Sequence, residues 1–190
     1  MAPKKGRIVT DPVRVLLVED DPAIRGEIEH ILHARADLVV AGSFAAGELA
    51  LAAVEGGLAA DVALVDLRLP GMSGIELIRK LKAARPSIEV VVLTMFEDDE
   101  SLHGALRAGA SGYLLKDAAP VDLGEAVLQV SRGGAPMSPT IARRVLFELR
   151  DGLKVPDASL TSREREVLEL LTKGASYPQI AKCLSVSTST

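Results

Sequence analysis

The chain has 190 residues, room for one domain and part of a second. Its hydrophobic share of 48% comes with 3% aromatics and no Trp, so any core must be aliphatic, as in parallel α/β sheets. A formal charge of −4 excludes a global field that draws the protein to nucleic acid, so any DNA contact must be local. The lone Cys183 excludes an internal disulfide and suits the cytosol. No apolar run approaches transmembrane length, and Lys4-Lys5-Gly6-Arg7 lacks the apolar region of a signal peptide. The expectation is a cytoplasmic protein without a membrane partner.

Strand and helix patterns alternate from residue 13 to 132. Val13 to Val18 is an apolar run ending in Glu19-Asp20. Pro22 suits the first turn of a helix to about Arg35, with Ile24, Ile28, Ile31 and Leu32 as its apolar stripe. A strand over 38–42 precedes an Ala-rich helix over about 44–56 that ends at Gly56-Gly57. The third strand, 62–66, ends in Asp66. Ser73 is the expected N-cap of the next helix, with Ile75, Ile78 and Leu81 inward and Pro86 as its stop. Strand 88–94 ends in Thr94, helix 99–108 ends at Gly109, and strand 112–115 ends in Lys116. A fifth helix starts at Pro120 and ends at Gly133-Gly134. Five βα units predict a doubly wound, flavodoxin-like parallel sheet of order 2-1-3-4-5.

In such sheets the site lies beyond the carboxyl ends of the strands, at the switch point between strands 1 and 3. That brings Glu19, Asp20 and Asp66 together. Three carboxylates repel unless a cation sits among them, and hard oxygen ligands suit Mg²⁺. Thr94 adds a hydroxyl donor. Lys116 adds a flexible point cation suited to a phosphoryl oxygen. Asp21 points outward by strand phase and reads as a solvated N-cap. Glu97-Asp98-Asp99-Glu100 offers the makings of a second metal site but reads as a charged first turn favoured by the helix dipole. His30, His33 and His103 lack metal or catalytic spacing and read as surface residues.

These strand ends resemble the receiver domains of two-component response regulators. The matching stretches are Val15 to Pro22, Val65 to Gly74, Leu93-Thr94 and Ala110 to Asp117, within residues 12–133. The resemblance implies that Asp66 accepts a phosphoryl group from a histidine kinase. It implies Glu19 and Asp20 as the Mg²⁺-binding acids, joined by Asp66 and the backbone carbonyl of Arg68. Thr94 matches the switch hydroxyl, Lys116 the phosphate-contacting lysine, and Tyr113 the aromatic that turns inward on activation. Glu19 stands where many members have Asp. Being one methylene longer, it can reach the metal through water. The expected role is a regulator rather than an enzyme, forming a homodimer on phosphorylation. A phosphatase with an aspartyl nucleophile would want an acid two residues after Asp66, where Arg68 stands. A nucleotide-binding module would want a Gly-rich loop after strand 1, where Glu19-Asp20-Asp21-Pro22 would repel phosphate. A pseudo-receiver would not have all five site positions filled.

Residues 134–159 read as a linker. In it Ser138 caps a helix from Pro139 to about Arg150, with Ile141, Val145 and Leu149 on one stripe, and a polar join follows. From 160 to 190, Thr161 with Glu164 forms a capping box, and Ser176-Tyr177-Pro178 opens a second helix. Ser185-Val186-Ser187 reads as the tight turn of a helix-turn-helix. This stretch looks like the start of a LuxR-type DNA-binding domain, as in the NarL/FixJ subfamily, and departs from it at Tyr177-Pro178-Gln179. In the family the recognition helix follows, and it is largely absent before Thr190. The resemblance therefore implies promoter DNA as partner of a full-length parent. The rival expectation is a receiver-only phosphorelay or interaction module that in this form does not bind DNA. A helix confined to its first turn does not hold itself together in water. A mobility-shift assay at physiological salt is therefore expected to show no site-selective complex. A shift that survives competitor DNA would mean that the recognition helix is misplaced.

Overall fold

A computed structural model describes residues 11–95, 98–116 and 122–152, the side chains of 148–152 excepted. The helices expected over 160–190, the Thr161–Glu164 capping box and Cys183 lie outside the described residues, as do Glu97 and Pro120. The chain divides into two compact units, Met1–Arg143 and Arg144–Thr190.

Five strands form one parallel sheet: β1 (Val13–Val18), β2 (Leu38–Phe44), β3 (Val62–Val65), β4 (Glu89–Thr94) and β5 (Gly112–Leu115). Their order is 2-1-3-4-5, the predicted doubly wound arrangement. Between them run α1 (Pro22–His33), α2 (Gly47–Glu55), α3 (Gly74–Ala84) and α4 (Asp99–Ala108), followed by α5 (Leu123–Ser131) and α6 (Pro139–Gly152).

Strand alternation sends successive side chains to opposite faces. On one face Val15, Leu17, Leu64, Val91 and Leu114 form a core with Ile28 and Leu32 of α1 and Val127 and Val130 of α5. By the same alternation Leu16, Val18, Ala63, Val65, Val90 and Val92 turn to the other face. There α2, α3 and α4 contribute buried Ala50, Val54, Leu77, Ile78, Leu81, Leu102 and Ala105. Both faces are covered, which is why the strands read as unbroken apolar runs.

Several expectations shift at the element ends. Strand β2 continues to Phe44 because Ser43 and Phe44 pair with Leu17 and Val18, past a register shift at Val15/Leu16. Helix α2 therefore begins at Gly47. Helix α1 ends at His33. Arg35 lies beyond it, and its guanidinium binds Asp37 at 3.0 Å and Asp122 at 3.5 Å. Ile31 lies on the flank of α1 and is exposed, so the stripe is Ile24, Ile28 and Leu32. Helix α5 begins at Leu123, capped by Asp122. His30 and His33 are exposed as expected, but His103 is half-buried. Gly109 adopts φ +107° and closes α4 in the left-handed conformation that favours glycine.

The linker begins as part of the sheet. Tyr113 N–H donates to Pro136 O at 2.9 Å, and Ser138 N–H donates to Tyr113 O at 3.0 Å. Met137 forms a parallel bridge with Tyr113. Ser138, expected as a cap, is fully buried, and its hydroxyl accepts Leu115 N–H at 2.9 Å. A Cβ on Gly112 would stand 2.8 Å from Pro136 O, so glycine is what lets the linker lie so close. Ile141 of α6 is fully buried, and the helix runs to Gly152, two residues beyond the expected end.

Besides α5, two helices start on carboxylate caps. Asp21 accepts from the backbone N–H groups of Ala23 and Ile24, and Asp98 from that of Ser101. These hydrogen bonds favour the ionised form and hold both carboxyls below their usual range. A depressed folded value means that their stabilising contribution is present above the unfolded value and lost as pH falls through the folded one. Replacing both by Asn keeps the caps but removes the titration. The acid limb of the stability–pH curve, measured by urea unfolding, should flatten while neutral-pH stability is kept.

Candidate functional site

Pairing in register places the acids. Val18 of β1 is the partner of Val65 of β3, so the residues that follow, Glu19 and Asp66, leave the sheet at the same level. The ladder continues one step further, with Asp66 N–H donating to Val18 O at 3.0 Å. Glu19, Asp20 and Asp66 each offer a carboxylate oxygen, and these oxygens lie within 4.8 Å of one another. Glu19 is 2% exposed and Asp66 7%, while Asp20 is exposed.

On the other side, Thr94 pairs with Leu115, and Lys116 N–H donates to Thr94 O at 2.9 Å. The Lys116 ammonium crosses to the acids. It lies 2.6 Å from Glu19 Oε2 and 2.8 Å from Asp66 Oδ2. The remaining oxygens meet backbone donors: Asp66 Oδ1 accepts Leu67 N–H at 2.6 Å, and Glu19 Oε1 accepts Asp21 N–H at 3.3 Å. Burial pushes the Glu19 carboxyl up, and the opposing pull of Lys116 does not cancel it. Burial alone would lower the Lys116 ammonium, but its hydrogen bonds and attraction to Asp66 and Glu19 leave it raised. The balance is incomplete, because one ammonium faces three carboxylates.

The structure therefore gathers Glu19, Asp20, Asp66, Thr94 and Lys116 at one end of the sheet. Tyr113 is fully buried, already inside. Its partner is Val92, and Thr94 lies two residues further along the same face, which makes Thr94 and Tyr113 diagonal neighbours. Arg68 sits in the loop after Asp66 with its side chain exposed, and its charge adds slightly to the lowering of the Asp98 carboxyl. Sequence reasoning missed Arg25. Its guanidinium donates to Glu19 O at 2.7 Å and Asp20 O at 3.1 Å, tying down the turn that carries both acids. An arginine on the first turns of a helix carries no mark that separates it from a solvated one.

The model of the response regulator receiver domain matches residues 15–128, and that of bacterial regulatory proteins of the luxR family matches residues 158–190. The chain belongs to the response regulators: a receiver domain followed by a LuxR-type DNA-binding segment, a transcriptional regulator rather than an enzyme. Over 183 residues it is 33% identical to the nitrate/nitrite response regulator protein NarL of Escherichia coli K12, covering 95% of this chain and 84% of that one. It is 36% identical over 171 residues to the DNA-binding transcriptional activator DevR/DosR of Mycobacterium tuberculosis, covering 89% and 78%. The two-component response regulator RcsB in its DNA complex superposes with a TM-score of 0.66 at 28% identity, over 93% of this chain and 85% of that one. The receiver domain implies a histidine kinase partner, and the LuxR-type segment implies DNA. No described helix is long and apolar enough to cross a membrane.

Lys116 is the counter-charge of two buried acids, with 9% of its side chain exposed. Removing one partner of a buried pair leaves uncompensated charge, at a cost of about 3–5 kcal/mol. Lys116→Met should lose stability on that scale in metal-free buffer. Adding Glu19→Gln should restore part of it, and urea titration of the single and double variants measures both.

Proposed function

We propose that Asp66 is the phospho-acceptor, taking a phosphoryl group from the phosphohistidine of a sensor histidine kinase. The observation that carries this is a buried Asp66 carboxylate within 4.8 Å of two further acids and bonded by a lysine. Glu19, Asp20, Asp66 and the backbone carbonyl of Arg68 would hold Mg²⁺. The donor set fits a hard divalent cation: oxygen ligands, with more negative charge than Lys116 offsets. Bound there, the ion supplies neutralisation of the charge on the transferring phosphoryl oxygens.

A carboxylate oxygen of Asp66 forms the bond to phosphorus as the P–N bond of phosphohistidine breaks. The bonding pair leaves on the imidazole nitrogen. Lys116, now beside Asp66, moves its N–H groups onto a phosphoryl oxygen. The Thr94 hydroxyl closes on another. Tyr113, its diagonal neighbour and already buried, packs further into the space that Thr94 vacates, which shifts the packing around β5. Phosphorylation biases a pre-existing equilibrium between surfaces rather than creating a new one. The altered surface favours a homodimer and frees the DNA-binding segment for promoter DNA. In this reading residues 12–133 are the receiver, 134–159 the linker and 160–190 the N-terminal part of the DNA-binding domain.

Incubation with acetyl phosphate and Mg²⁺, followed by intact mass, tests the assignment. Wild type should gain one phosphoryl group and Asp66→Asn none. Glu19→Gln with Asp20→Asn should abolish the Mg²⁺ dependence of the reaction along with its rate. An Asp66→Asn protein that still gains the mass would sink the assignment.

A further inference from the structure

The loop from Asp66 to Ser73 carries both the proposed nucleophile and the Arg68 carbonyl, so its conformation decides what faces the acids. It is held from two directions. Beneath it lies the start of α3. Gly74 N–H donates to Leu67 O at 2.9 Å, and a Cβ on Gly74 would stand 2.6 Å from Leu67 Cα and collide with Asp66 O. From the side comes Glu48, in the first turn of α2. Its Oε1 accepts Met72 N–H at 2.7 Å.

The loop is shaped to receive that carboxylate. Gly71 adopts φ +78°, a left-handed conformation that side chains disfavour. A Cβ on it would stand 2.5 Å from the same Glu48 oxygen, so the loop backbone lies against the carboxylate with nothing between them. Met72 is buried, and a Cβ on Gly47 would reach Met72 Cβ at 3.5 Å. Glu48 is itself exposed. An exposed acid in a first turn ordinarily serves its own helix. Here the N-cap, Ala46, makes no side-chain cap hydrogen bond, yet Glu48 directs its oxygen to the loop.

We infer that Glu48 is a positioning residue for the phospho-acceptor loop: by accepting Met72 N–H beside Gly71, it fixes the segment that presents the Arg68 carbonyl next to Asp66. The inference rests on the metal site proposed above. Glu48 touches neither metal nor phosphoryl group. It acts as outer partners of metal ligands do, through the orientation of a ligand, and loss of such a partner weakens metal binding by about 10- to 100-fold.

The test uses the full chain with Glu48→Ala and Glu48→Gln. Gln keeps an oxygen that can accept the Met72 N–H and drops the charge. Mg²⁺ is titrated while the amide resonances of residues 19, 20 and 66–68 are followed, and hydrogen exchange of the Met72 amide is measured in parallel. Glu48→Ala should weaken Mg²⁺ binding about tenfold and deprotect Met72, with Glu48→Gln close to wild type in both. The Mg²⁺ concentration for half-maximal phosphorylation by acetyl phosphate should rise in the Ala variant, with the saturating rate little changed. Wild-type Mg²⁺ affinity in Glu48→Ala would overturn the inference. So would a Glu48→Gln protein as impaired as Glu48→Ala, since charge rather than the hydrogen bond would then matter. If wild-type resonances at residues 19, 20 and 66 do not move with Mg²⁺, the metal site itself is wrong and the inference falls with it, a result distinct from either of the others.

Discussion

Three carboxylates at the ends of two adjacent strands repel one another, and much of the receiver unit can be understood as the means of holding them in place. Their position follows from backbone pairing, because the Val18–Val65 register leaves no freedom in where Glu19 and Asp66 emerge. Two of the three are buried, where repulsion is screened least. Lys116 answers them with one charge from a strand end two places across the sheet, which ties the β5 terminus to the β1–β3 edge of the site. The raised Glu19 carboxyl shows that burial outweighs this compensation. A site left short of positive charge is primed for a cation.

Around that centre, backbone donors do the holding. Leu67 N–H and Asp21 N–H take the carboxylate oxygens that Lys116 does not reach. Arg25 clasps the carbonyls of the acidic turn. These contacts come from residues close in sequence to the acids, so they form as the local turns form. Lys116 is the long-range member, fifty residues from Asp66, and its arrival depends on the whole sheet having closed. Folding and assembly of the site are therefore one event.

The fold was legible in the sequence because parallel strands covered on both faces are written as continuous apolar runs, and Glu19, Asp66, Thr94 and Lys116 each end one. Sheet order followed from the alternation of strands and helices. Element ends were less legible. The length of β2 depends on its partner β1 and on a register shift, neither of which is encoded in residues 38–44 alone. The positions of the site residues were readable, since strand ends fix them. Their supports were not: Arg25 and Glu48 look like ordinary helix-surface charges until the turns they reach are seen. Ser138 was legible as a helix opener, but its hydroxyl serves a strand twenty-three residues earlier.

That use of Ser138 bears on the fate of the sheet edge. A terminal strand displays unpaired N–H and C=O groups and invites another chain to extend the sheet. Strand β5 is such a terminus, yet Pro136 and Ser138 take up the Tyr113 N–H and C=O, and the Ser138 hydroxyl takes the Leu115 N–H. The first residues of the linker thus cover that edge, supplied by the same chain at the high effective concentration of a tether. Any motion that peels the linker from β5 bares that edge as a template for aggregation. A loosened linker is therefore hazardous to solubility.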